Sequence, residues 1–80
     1  MKKGDKMESH AIKIHTEFIR LQDLMKLADL VASGGEAKVL IQDGQVLVNG
    51  AVCLQRGRKL RPGDQISYRG RSCTVAYHED

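Results

Sequence analysis

Apolar positions change their rhythm several times along this 80-residue chain, and each change marks an element. Over residues 11–16, Ile12 and Ile14 alternate with Lys13 and His15, the period of two expected of a half-buried strand. From Thr16 the spacing lengthens. Leu21, Leu24, Met25, Ala28 and Val31 recur at helical intervals, Leu27 and Leu30 widen the stripe, and Arg20, Gln22, Asp23, Lys26 and Asp29 fill the other face. This predicts a helix over residues 16–31, with the Thr16 hydroxyl able to cap its start. Ser33-Gly34-Gly35-Glu36 then has the form of a capping box, opening a second, shorter helix to Gln42 that buries Ala37, Leu40 and Ile41. Asp43-Gly44 ends it, because Gly44 tolerates left-handed backbone. Residues 45–48 alternate again, Asn49-Gly50 signals a type I′ hairpin turn, and residues 51–54 form the returning strand. Residues 55–59 read as a loop anchored by Leu60, and Arg61-Pro62-Gly63-Asp64 suits a type II turn. Residues 65–68 and 72–77 make a last strand pair around Arg69-Gly70-Arg71.

These elements predict an α+β fold in which two helices pack at one side of a short, mostly antiparallel sheet of four or five strands. The expected core is Ile12, Leu21, Leu24, Met25, Leu40, Ile41, Val46, Val48, Leu60 and Ile66. Residues 1–9 are polar and lysine-rich without apolar periodicity, so they read as a disordered basic tail before a single domain over residues 10–80. A chain of this size has a core barely large enough to stand alone.

No apolar run approaches the ~18 residues of a membrane span. The charged start lacks the apolar stretch of an export signal, so a cytoplasmic location is expected. Cys53 and Cys73 are then expected to stay reduced, each serving as a small buried hydrophobe in a strand. Twenty positions separate them and His10, His15 and His78 are scattered, so no structural metal spacing is present and no cofactor is implied. No phosphate-binding Gly-x-x-x-x-Gly-Lys-Ser/Thr run occurs, and nothing places a base beside either thiol. An enzyme has no supporting constellation.

Charge changes the picture more than composition does. Arg56, Arg58, Lys59, Arg61, Arg69 and Arg71 share their window with one acid, Asp64, a local +5 against +3 for the whole chain. Concentrated positive charge suits a polyphosphate, since each neutralised phosphate releases counterions. A glycine among these cations allows close approach, and arginine's planar fork grips phosphate bidentately. A solvated face is the bland alternative for such a run.

Arg20-Leu21-Gln22, Ser33-Gly34-Gly35-Glu36-Ala37, Ile41, Gly44-Gln45-Val46-Leu47-Val48-Asn49-Gly50 and Pro62-Gly63-Asp64-Gln65-Ile66 occur in order and at compatible spacing. Together they resemble the RNA-binding domain named after the fourth small-subunit ribosomal protein, the alpha-L motif, in its small stand-alone bacterial branch. The resemblance covers somewhat over half the chain. It implies non-catalytic binding of structured RNA, ribosomal or transfer RNA, with the ribosome as a further partner; a monomer without a membrane partner is expected. Many relatives carry Ser-Arg at the start of the second helix, with that arginine on RNA; here the position is Gly34, which shifts the expected load to residues 56–61. Gln22 stands where the family usually has an acid after Arg-Leu, so the motif supplies no carboxylate for Arg20 at that position.

The resulting RNA-binding candidates are Arg20, Lys38, Arg56, Arg58, Lys59, Arg61, Arg69 and Arg71, expected to form one electropositive face. Arg20 matches the motif, yet Glu17 and Asp23 lie within helical reach. Lys26 has Asp23 and Asp29 as helical neighbours and reads as a solvated ion pair. Glu36 competes with any anion for the amides of the second helix, so capping outweighs anion binding there. Only Phe18, Tyr68 and Tyr77 are aromatic, and the two tyrosines fit the core or its edge. Scarce rings favour recognition of folded RNA by shape and phosphate over single-strand stacking. The rival reading is a protein-interaction module whose basic face docks an acidic or ribosome-associated partner.

Overall fold

In the computed structural model, which describes residues 8–78, the chain runs β1 (Glu8–Ile14), β2 (Ile19–Arg20), α1 (Leu21–Leu27), α2 (Gly34–Gln42), β3 (Leu47–Val48), β4 (Ala51–Val52), β5 (Lys59–Leu60), β6 (Gln65–Tyr68) and β7 (Arg71–Tyr77). Five strands form one sheet in the order β1-β7-β6-β3-β4, antiparallel throughout except for the parallel β1–β7 edge pair. β2 and β5 pair antiparallel as a separate ribbon, Ile19 opposite Leu60 and Arg20 opposite Lys59. The expected α+β arrangement, two helices with a mostly antiparallel sheet, is the one found. Strand β1 begins at Glu8, so the expected tail boundary after Ser9 falls inside a strand; the first seven residues of that tail lie outside the described residues.

The first helix is shorter than its apolar pattern. It starts at Leu21 rather than Thr16, because Ile19 and Arg20 are extended and hydrogen-bonded to β5. Thr16 is not its cap: the Thr16 hydroxyl donates to the Phe18 carbonyl at 2.7 Å. The orphan amides of Leu21 and Gln22 instead donate to the Arg58 and Arg56 carbonyls at 2.9 and 3.0 Å. A distant loop thus supplies what a side-chain cap would have supplied. The helix ends at a Schellman turn in which Asp29 takes φ 62° and the Leu30 amide reaches the Met25 carbonyl. Leu27, at the flank of the apolar stripe, is 57% exposed against the expectation of burial, while Val31 reaches the core from beyond the helix.

The second helix follows local chemistry closely. Ser33 Oγ accepts from the Glu36 amide at 3.2 Å, and Glu36 Oε1 accepts from the Ala32 amide at 2.9 Å, one residue before the cap. Gly44, at φ 78°, closes the helix with the Gln45 amide on the Leu40 carbonyl. Ala37 and Ile41 are buried and Leu40 partly so.

One hydrophobic cluster joins the layers. It contains Leu21, Leu24 and Met25 from α1, Ala37 and Ile41 from α2, Leu60 from β5, and Val48, Ile66, Cys73 and Val75 from the sheet. Ile12 and Leu40, expected inside, pack against its margin, and Ile14 of β1 is buried. Both cysteines are buried and free, and burial pushes the Cys73 thiol pKa up. Tyr68 packs on the core edge as expected, but Tyr77, near the chain end, is 58% exposed.

Candidate nucleic-acid interface

The basic loop is positioned from both sides. Its carbonyls at Arg56 and Arg58 hold the start of α1, and its last residues, Lys59 and Leu60, pair with β2. This pairing puts Arg20 and Lys59 directly opposite each other on the ribbon, although 39 positions separate them in sequence. Arg61 follows immediately. The three cations gather on the ring of Phe18: Lys59 Nζ lies 4.8 Å from its centroid, and the guanidinium carbons of Arg20 and Arg61 lie at 5.9 and 6.0 Å. Within about 6 Å such placements are cation–π contacts. Arg20, Arg56, Arg58, Lys59 and Arg61 are all exposed. The ion pair found among the described residues is elsewhere, between Lys26 and Asp23 on α1 at 3.6 Å.

A turn network fixes the far side of this cluster. Asp64 Oδ2 accepts from the Arg61 amide at 2.8 Å, and Asp64 Oδ1 accepts from the Asn49 side-chain amide at 3.1 Å. Asn49 Oδ1 in turn accepts from the Gln65 amide at 3.0 Å. The Asn49-Gly50 hairpin (φ 50° and 86°) and the Pro62-Gly63 type II turn are therefore one structural unit. The Arg61 amide and then Asn49 hold the Asp64 carboxyl pKa below its ordinary value of 3.8; partial burial opposes them, and the charges of Arg58 and Arg61 add to them.

The structure separates the eight candidate cations. Arg20, Lys59 and Arg61 converge on Phe18, and Arg56 and Arg58 belong to the adjoining loop. Arg69 and Arg71 lie beyond the opposite end of β6 from Arg61, so they are not part of that grouping. Arg69 stands over Tyr68 at 5.5 Å in left-handed backbone, φ 52°, forming with Gly70 a second tight hairpin turn. Arg71 lines a cleft of about 370 Å³ with His10, Leu27 and Asp29. Lys38 is exposed on α2. Phe18 is the site residue the sequence pattern missed, since no local periodicity links position 18 to positions 59 and 61.

Residues 12–76 match the family model described as the S4 domain. The chain belongs to the S4 domain family. Within that family it is 44% identical over 62 residues to RlbA of Bacillus subtilis, named a probable ribosome maturation protein, covering 78% of this chain and 87% of that one. It is 40% identical over 57 residues to YbcJ of Escherichia coli, covering 71% and 81%. The solution structure of YbcJ superposes with a TM-score of 0.63 at 33% identity over 95% of both chains, and is described as revealing an alphaL motif involved in RNA binding. The S4 domain here therefore has the alpha-L architecture that the Val-x-Val-Asn-Gly and Pro-Gly-Asp motifs implied. Those motifs are the two turns joined through Asn49 and Asp64.

Among the described residues no three His, Cys, Asp or Glu side chains group as metal ligands. No helix among them is long and apolar enough to cross a membrane.

Proposed function

We propose that this S4-family chain is a non-catalytic, cytoplasmic, monomeric RNA-binding protein. Its target is folded RNA, ribosomal or transfer RNA, held by the ribbon that carries Arg20 and Lys59 and by the adjoining loop. The carrying observation is the placement of Arg20 opposite Lys59 with Arg61 beside them. Like charges facing each other across a ladder cost stability in the free protein. An arriving phosphate reverses that cost and releases its counterions. Relatives named for ribosome maturation and described as binding RNA support the same direction and favour ribosomal RNA over transfer RNA.

Five phosphate contacts, from Arg20, Arg56, Arg58, Lys59 and Arg61, give a log–log salt slope of roughly −3.5 to −4.5. An acidic protein partner would also weaken with salt, so competition decides between the two. Excess folded ribosomal RNA should displace a labelled RNA from the protein, whereas poly-glutamate at equal charge should not. Equal displacement by both would favour the acidic-partner reading.

A further inference from the structure

Phe18 is the chain's single phenylalanine, yet it belongs neither to the hydrophobic cluster nor to the apolar side chains packed on its margin. An 80-residue domain short of apolar volume gains most by burying such a ring. Instead the residue is half-buried, and three cations lie over its ring with no carboxylate among the described residues in ion-pair contact with them. Its backbone is held: the Thr16 hydroxyl binds the Phe18 carbonyl, and the next residue, Ile19, pairs with Leu60.

We propose that Phe18 is the stacking platform for one unpaired nucleobase, within the same RNA site and resting on the RNA-binding reading. In a nucleic-acid strand each base is flanked by a phosphate on either side. The three long side chains over the ring are exposed, so they can yield its face to the base and turn to the phosphates on either side of that base. Stacking on an aromatic side chain is available only to a base outside a duplex, so the site selects a bulge or loop nucleotide in an otherwise folded RNA. Scarce aromatics therefore do not exclude stacking here. One ring serves one base, and the surrounding charge serves the rest of the fold.

The test uses two RNA hairpins of equal length, one carrying a single bulged 2-aminopurine and one fully paired. Wild-type protein should bind the bulged hairpin about tenfold more tightly. Phe18→Leu, with its melting temperature checked, should bring the two affinities to parity. A general disturbance of the cations would lower both affinities together and leave their ratio intact, so the ratio reads stacking alone. The chain has no tryptophan, so Phe18→Trp places a single indole at the site. Its fluorescence should fall on binding the bulged hairpin, with the bulge preference retained. An unchanged bulged-to-paired ratio in Phe18→Leu, or no quenching of the indole in a complex shown to form by anisotropy, would overturn the platform. Salt-sensitive binding of both hairpins without bulge preference would also overturn it while leaving the RNA-binding reading intact. No binding of either hairpin by wild-type protein would remove both.

Discussion

Asp64 joins three segments with one carboxylate: the amide of Arg61, the side chain of Asn49 and, through Asn49, the start of β6. Both of its direct bonds favour the ionised form, which is why its folded pKa lies below 3.8. Its contribution to stability is then fully present above the ordinary aspartate range and is lost as pH falls through the lower folded value. Asp64→Ala should cost about 1–2 kcal/mol in urea denaturation near neutral pH, the worth of hydrogen bonds to a charged acceptor reduced by solvent screening. The gap between variant and wild type should close only in acid, below the ordinary aspartate value. A gap that is the same at every pH would show that ionisation of this carboxyl plays no part. At this scale the sequence was partly legible. Asn49, Gly50, Pro62 and Gly63 announce their turns because backbone geometry there demands those residue types. The turn at Arg69-Gly70-Arg71 was placed as well, but the positive φ of Arg69 was not, since an arginine there has no local signature and the β6–β7 register imposes it.

The elements divide along the same line between local and distant causes. Helix α2 was readable from Ser33 and Glu36 because a cap is decided within four residues. Ser33→Ala should therefore lower stability by about 1 kcal/mol, measured by thermal or urea denaturation, with the fold retained. A loss within error of zero would mean that packing of Ala37 and Ile41 alone holds the helix start. Helix α1 carried a longer apolar stripe than it uses. Arg20 falls on the polar face of the helical pattern, yet pairing with Lys59 and Leu60 draws it and Ile19 into a strand. No window around Thr16 contains that information. The parallel pairing of β1 with β7 is equally nonlocal, and it converts an isolated strand signal into a sheet edge reaching back to Glu8.

At the scale of the molecule, the charge excess between Arg56 and Arg71 proves to be two features. Its first half folds back onto Arg20 and Phe18, while its second half belongs to the hairpin at the other end of β6. The sequence located the charge but not its division, because linear proximity says nothing about which end of a strand a residue reaches. On the proposed reading, RNA meets the first group, which is mounted on the ribbon beside α1. Simultaneous Arg58→Ala, Lys59→Ala and Arg61→Ala substitution tests it most directly, with affinity for folded ribosomal RNA measured by fluorescence anisotropy and folding checked by circular dichroism. At roughly 0.5 kcal/mol or more per lost contact, affinity should fall by about tenfold or more, while Arg69→Ala changes it less than threefold. An unchanged affinity in the folded triple variant would mean that RNA meets some other surface.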